Sequence, residues 1–479
     1  MTVTGTPPRA GDRGATRGAV TVTPSRIAAA ELLAALRGGT LLDTAFERVT
    51  GSLDPRDRRW VQELVYGVLR RRAWHDTILT ARITGGLARL DADLADLLRL
   101  GSHQLLCMGS VPAYAAIGQT VELAKRRHGV GASKLVNAVL RRLDRERELP
   151  AVRTVEGAAA SLGPEYDAID RLAVRTSHPR WLLERWLRRW SRADVEALCA
   201  YDNTEAPVVI RPFGITTDAL RDALAERDVH ATTAPLADDM LVLPPGVQLT
   251  QLGAFQRGQC WVQDPGSAMV VRYGALAAGA QVADLCAAPG GKTLALLEAG
   301  CQVLAGDRSD ARLDRLRANL ARVGRDDVVV EVLDATDPGL VNLDAVLVDV
   351  PCTGTGTLRR HPDARWRLRA SDVAILPITQ REILEGAATT VRPGGLVLYS
   401  TCALETEEND DVVAAFLVAH PDFVLEAPPE GTVPDEVLDA LTPSPGHPAE
   451  GGVRGTVLRV LPQRHDVDGA FAARLRRRA

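Results

Sequence analysis

The chain has only three lysines, Lys125, Lys134 and Lys292, among 57 basic residues. Arginine serves everywhere else. A lysine kept inside a glycine-rich segment, as Lys292 is, marks a place suited to a compact ammonium and not to a planar guanidinium. Long apolar runs are also missing, and none approaches the ~20 residues that span a bilayer. Residues 1–24 are rich in Thr, Gly, Pro and Arg and lack the apolar stretch of a secretory signal; their composition favours a disordered tail over a transit peptide, which their few acids leave open. Seven cysteines, an odd number without paired spacing, argue against a disulfide framework and for a reducing compartment, the cytoplasm. There is no Cys-x-x-Cys pair and the nine histidines do not cluster along the chain, so no metal site is expected.

What is present suggests several domains, because 479 residues exceed what one hydrophobic core holds. The net charge of −4 hides an asymmetry: residues 1–190 carry 30 Lys and Arg against 20 Asp and Glu, and residues 191–479 carry 27 against 41. A basic module on an acidic body points to a polyanionic partner such as a nucleic acid.

From Arg26 to about Leu143 apolar residues recur three and four apart, over Ala28–Leu36, Val61–Leu69, Leu94–Met108, Ala116–Ala124 and Leu135–Leu143. Gly, Pro and Ser breaks separate them, and the spacing predicts an all-α bundle over 25–150. A linker follows at 144–165. Residues 151–262 then combine helices with a small α+β segment. Within them Trp186 and Trp190 fall on one helix face beside Arg185, Arg188 and Arg189, a pattern that fits core anchoring better than base stacking. Over 263–479 strands and helices alternate, which predicts a mostly parallel α/β sheet of Rossmann-like type. The last two segments, Val457–Leu461 and Phe471–Leu475, read as a strand and a short helix.

Three loops in that last region carry chemistry. Val282-Ala-Asp-Leu-Cys-Ala-Ala-Pro-Gly-Gly-Lys-Thr293 joins the first strand to a helix with small residues that let a ligand approach the backbone, without the spacing of a P-loop. Asp307, Asp334 and Asp349 end the next three strands. A row of strand-end carboxylates without a cationic clamp suits an adenosyl ligand that lacks a phosphate chain. Cys352, in Asp349-Val-Pro-Cys-Thr-Gly-Thr-Gly356, and Cys402, in Leu398-Tyr-Ser-Thr-Cys402, each follow a buried-strand pattern. Thiols at strand ends face the crevice where open α/β sheets bind ligands, whereas Cys107, Cys199, Cys260 and Cys301 read as inert core residues. The combination suggests a transferase that uses a thiolate on its substrate.

These three motifs together resemble the Sun-type RNA cytosine-C5 methyltransferases. Gln263-Asp-Pro-Gly-Ser267 matches that family's segment before the cofactor loop, and Leu461-Pro-Gln-Arg-His-Asp-Val-Asp-Gly-Ala-Phe-Ala-Ala-Arg474 its closing motif. Asp57-Arg-Arg-Trp-Val-Gln-Glu-Leu-Val-Tyr-Gly-Val-Leu-Arg70, Gly101-Ser-His-Gln-Leu-Leu106 and Val136-Asn-Ala-Val-Leu-Arg-Arg142 resemble the NusB-like RNA-binding domain. That pairing is the layout of bacterial small-subunit ribosomal RNA methyltransferases. The resemblance implies methyl transfer from S-adenosyl-L-methionine to C5 of a cytosine in 16S rRNA. Free or early-assembly RNA is the expected form of that partner, and a monomer the expected state of the enzyme. Cys402 is then the nucleophile and Cys352 assists release. The cofactor lies against Cys286, Ala287, Ala288, Pro289, Gly290, Gly291, Lys292, Asp307, Asp334 and Asp349, and Lys292 and Asp349 also reach the reacting base. Two alternatives stay open: the same reaction on transfer RNA or another ribosomal site, and a non-catalytic RNA-binding assembly factor.

Overall fold

The structure is a computed structural model that describes residues 21–449 and 452–479. The expected tail lies outside the described residues up to residue 20, and from Pro24 the chain is helical. The chain forms two compact units, one ending at Asp167 and one beginning at Ala168. No helix among the described residues is long and apolar enough to cross a membrane.

The first unit is entirely helical. The five expected runs are all found, in Pro24–Arg37, Pro55–Arg70, Ala92–Leu106 and the two halves of Ala113–Glu146. Those halves meet at Gly129, whose φ of 82° a glycine adopts without strain. Asp54 and Asp91 begin two of the helices by accepting the first free backbone amides. Leu42–Thr50 and Arg72–Thr80 are additional helices. The segment expected to link the domains carries short helices at Pro150–Arg153 and Val155–Ala160, and the second of these packs on Arg72–Thr80. Histidines that are scattered in sequence meet inside this unit, where Nε2 of His75 lies 3.1 Å from Nδ1 of His103. Nδ1 of His75 lies 2.8 Å from the Ser102 hydroxyl.

The second unit opens with the helices Ala168–Thr176, Arg180–Arg189 and Arg192–Asp202. A four-stranded antiparallel sheet follows, made of β1 (Val209–Pro212), β2 (Thr232–Ala234), β3 (Ala237–Val242) and β4 (Cys260–Val262) in the order β2-β3-β1-β4.

The large sheet has nine strands. Its parallel half comprises β5 (Gln281–Asp284), β6 (Gln302–Asp307), β7 (Val329–Val332), β8 (Leu343–Asp349) and β9 (Val391–Thr401), ordered β7-β6-β5-β8-β9. Ala345–Val348 of β8 are at most 1% exposed, as expected of a strand covered by helices on both faces. The order reverses between β5 and β8, the topological switch point at which such sheets bind ligands.

The other half is antiparallel: β10 (Phe423–Leu425), β11 (Leu438–Ala440), β12 (Thr456–Val460) and β13 (Ala470–Arg477). The sheet is therefore mixed. Phe471–Leu475, expected to be helical, lies in β13, which inserts between β9 and β12. Two flanking strands satisfy its backbone and bury Ala470–Leu475, which overrides the local helix preference of its alanines.

Candidate active site

β8 and β9 are neighbours in parallel register, with Asp349 opposite Ser400. The residues that follow each strand therefore emerge at one edge. The Sγ atoms of Cys352 and Cys402 are 3.4 Å apart there. The Cys402 sulfur, together with burial, pushes the Cys352 thiol well above its ordinary range.

Lys292 comes from the first turn of the helix Gly291–Glu298 after β5. Its Nζ donates to Oδ2 of Asp349 at 2.7 Å, and the Ser400 hydroxyl donates to Oδ1 at 2.7 Å. Burial alone lowers the pKa of Lys292, but the Asp349 carboxylate, with a further contribution from Cys402, raises it above its usual value. The structure thus brings together Lys292, Asp349, Cys352 and Cys402, and adds Ser400. Its only sequence signal was its place beside Thr401 at the strand end.

The loop from Cys286 to Lys292 is held from several sides. Arg312 Nη2 donates to the Ala288 carbonyl (2.8 Å), Asn319 Nδ2 to that of Pro289 (3.1 Å) and Gln263 Nε2 to that of Gly291 (3.0 Å). The Ala288–Pro289 peptide is cis and Gly290 has φ 109°, where a Cβ would lie 2.5 Å from Leu316 Cδ1. Beneath the loop, burial pushes Asp284 up to about 7, partly offset by the Thr293 hydroxyl that donates to it at 2.7 Å. Cys286 is raised by burial and then by the carboxylates of Asp284, Asp349 and Asp307, which places it among them.

Asp307 ends β6 with Oδ1 accepting the Ser309 amide at 3.0 Å. Its buried Oδ2 has no hydrogen-bond partner, with Arg312 Nη1 3.4 Å away. An unsatisfied acceptor beside a small-residue loop fits the ribose hydroxyls of an adenosyl group. Asp334, by contrast, is exposed and accepts the Thr336 amide and hydroxyl, which hold its carboxyl below the usual range.

The loop after Cys402 is braced by the helix Arg180–Arg189. Arg185 pairs with Glu405 (2.7 Å) and Glu407 (2.5 Å), the Trp186 indole donates to Glu405 (3.2 Å), and Arg189 donates to the Leu404 carbonyl. Trp186 is 2% exposed and anchors a core. Cys199, Cys260 and Cys301 are buried, and Cys107 is half-buried against Arg71.

Comparison with known proteins agrees with this architecture. Family models match for the NusB family over residues 23–145, for an RsmF/B-like ferredoxin-like domain over 178–250, and for 16S rRNA methyltransferase RsmB/F over 275–476. The ribosomal RNA small subunit methyltransferase B of Pseudomonas putida is 35% identical over 410 residues, 83% of this chain and 89% of the relative. That of Vibrio cholerae is 36% identical over 398 residues, 80% and 86% of the two chains. The solved structure of a methyltransferase homologue from Pyrococcus horikoshii shares the fold, with TM-score 0.54 and 24% identity over 66% of this chain and 100% of that one. S-adenosylmethionine is the cofactor of this fold and family. With its helical NusB domain, ferredoxin-like domain and Rossmann-like catalytic sheet, the chain belongs to the RsmB/F family of 16S rRNA methyltransferases.

Proposed function

We propose that this enzyme makes 5-methylcytosine in 16S rRNA through a covalent adduct between Cys402 and C6 of the target base. The observation that carries the reading is the 3.4 Å approach of two thiols beside the Lys292–Asp349 pair, at the carboxyl ends of adjacent strands. C5 of cytosine is a poor nucleophile. Bond formation between the Cys402 thiolate and C6 moves the electrons of the C5–C6 double bond toward C5, which then attacks a methyl group.

S-adenosylmethionine, when bound, would supply that methyl as an electrophile on a sulfonium, its methyl–sulfur bond breaking to leave a neutral thioether. The Cys286–Lys292 loop, Asp307, Asp334 and Asp349 would hold it, and Oδ2 of Asp307, which accepts no hydrogen bond, suits the ribose. Cys352 removes the C5 proton. The electrons of that C–H bond restore the C5–C6 double bond as the sulfur–C6 bond breaks, and Cys402 leaves as thiolate. Lys292 and Asp349 reach the polar edge of the pyrimidine, where a fixed ammonium and carboxylate orient the base and offset charge that develops on it.

The direct test is transfer of tritium from methyl-labelled S-adenosylmethionine to purified 16S, 23S and transfer RNA, followed by nucleoside analysis. Label in 16S rRNA as 5-methylcytidine is the expected result. Label at another atom refutes the thiol mechanism, and label only in another RNA refutes the substrate. Cofactor binding without any transfer favours an assembly factor that has lost its chemistry.

A further inference from the structure

Two residues six and seven positions beyond Cys402 each hold the loop of one of the two thiols. Glu408 closes the short turn Thr406–Glu408 and is fully buried. Its carboxylate accepts the Thr353 amide (2.8 Å), the Thr353 hydroxyl and Nε2 of Gln380 (2.9 Å). The same Gln380 nitrogen donates to the Pro351 carbonyl at 3.0 Å. The residues on both sides of Cys352 are therefore tied to Glu408. Asn409, 1% exposed, treats Cys402 in the same way. Its Oδ1 accepts the Thr401 hydroxyl (2.5 Å) and its Nδ2 donates to the Ala403 carbonyl (2.9 Å). The Tyr399 hydroxyl on β9 anchors the dipeptide by donating to the Glu408 carbonyl at 2.6 Å.

We propose that Glu408 and Asn409 act as a two-residue buckle, positioning residues that set the spacing of the two thiols, with Glu408 governing the step done by Cys352 and Asn409 the step done by Cys402. The assignment of steps rests on the covalent reading above; the spacing does not. Because the two residues share one peptide bond, a shift of either loop is felt by the other within a few ångströms of chain. Burial pushes the Glu408 carboxyl up to about 7, offset by the Thr353 and Gln380 donors, so the group is costly to keep and is fully satisfied where it sits. Sequence spacing gave no sign of it, since Glu408 and Asn409 lie in a run of acids that reads as a solvated helix start.

Misplacing a reacting group by about 1 Å costs about 100-fold in rate. Glu408→Ala is expected to lower kcat by that order with little change in KM for RNA, and to leave RNA covalently attached on a denaturing gel. Glu408→Gln should restore turnover, because its carbonyl still accepts from Thr353 and Gln380 while its amide donates to the Thr353 hydroxyl. Asn409→Ala is expected to lower kcat without accumulation of adduct. Thr353→Val cuts the first link from the other side and should mimic a mild form of Glu408→Ala.

Spacing is read separately with phenylarsenoxide, a trivalent arsenical that bridges two thiols only when they are close. The full-length wild-type chain should bind one equivalent tightly, and Glu408→Ala and Asn409→Ala at least 10-fold more weakly, with Glu408→Gln near wild type. Wild-type arsenical binding in both alanine variants overturns the buckle. So does failure of Glu408→Gln to rescue, with activity and melting temperature falling together in every variant. If Cys352→Ala never traps RNA, the covalent reading fails, while the arsenical result still decides the buckle.

Discussion

The sulfurs of Cys352 and Cys402 lie 3.4 Å apart although 50 residues separate them in sequence. Adjacent parallel strands of matched register bring them together, so neither needs a long or mobile loop to reach the other. The two thiols nevertheless differ: its neighbour and burial push the Cys352 thiol up, which disfavours it as the attacking thiolate and makes its thiolate, once the proton has left to solvent, a strong base for the C5 proton. Cys402→Ala should lower methyl transfer by about 1,000-fold or more. Cys352→Ala should slow turnover and yield a species on denaturing gels that contains protein and RNA and disappears in the Cys352→Ala, Cys402→Ala double variant. A Cys352→Ala enzyme that turns over normally would remove Cys352 from the reaction, and trapped RNA in Cys402→Ala instead would reverse the roles.

Lys292→Arg is the sharpest test of the ammonium. The Lys292 side chain is 14% exposed and fits 2.7 Å from Asp349 at the base of the thiol crevice. A guanidinium keeps the charge but needs more room and spreads its donors in a plane. The expected outcome is a drop in kcat of about 100-fold, with S-adenosylmethionine affinity by calorimetry within a few-fold of wild type. Unchanged kcat would reduce Lys292 to a structural counter-ion.

The crevice was legible because each of its strands is a short apolar run ended by residues of unusual kind, and strand ends in an α/β sheet share one edge. Lys292 stood out through the rarity of its type. What sequence could not display are the partners contributed by distant segments. Ser400 meets Asp349 only because β8 and β9 are in register, and Arg185 meets Glu405 across 220 residues. β13 shows the same limit: Phe-Ala-Ala-Arg-Leu has no alternation to mark a strand, and only its position between two others makes it one. Histidines apart in sequence likewise met only after the helices packed.

Gly356 carries a constraint that a single methyl group should expose. A Cβ there would lie 2.7 Å from the Cys402 carbonyl oxygen and 2.8 Å from the Gly469 Cα, both backbone atoms. The Gly356 amide also donates to that Cys402 carbonyl, and the Gly469 amide to the Gly356 carbonyl. Gly356→Ala must therefore push the Pro-Cys loop away from the Thr-Cys loop, at an overpacking cost of about 1–3 kcal/mol. A loss of activity of at least about 10-fold, with a lowered melting temperature and S-adenosylmethionine binding retained, is the expected pattern. Full activity would mean that the two loops can separate without harm.

Acid should loosen the helical unit through its buried imidazoles. The Ser102 hydroxyl donates to the Arg99 carbonyl at 2.9 Å, so it accepts from Nδ1–H of His75. Nε2 of His75 is then an acceptor, and Nδ1 of His103 must donate to it. A proton added to Nε2 of His75 breaks this chain, and one added to Nε2 of His103 places a charge in a buried site beside Arg71. Burial, with Arg71 adding to it, pushes His103 down from 6.5 to about 3, and burial with the neighbouring His103 lowers His75 in the same sense. Because the folded values lie below the unfolded ones, the contribution is complete above pH 6.5 and is lost as the pH falls from there toward 3. His103 alone withdraws roughly 2 kcal/mol by pH 5 and roughly 4 kcal/mol by pH 3. His103→Asn keeps an amide N–H where Nδ1–H stood and does not titrate. Amide exchange in the helix Ala92–Leu106 of the full chain should therefore speed up about 30-fold between pH-corrected measurements at 7 and 5 in the wild type, and markedly less in the variant. Equal slopes in the two proteins would show that these histidines are not the source of the acid sensitivity.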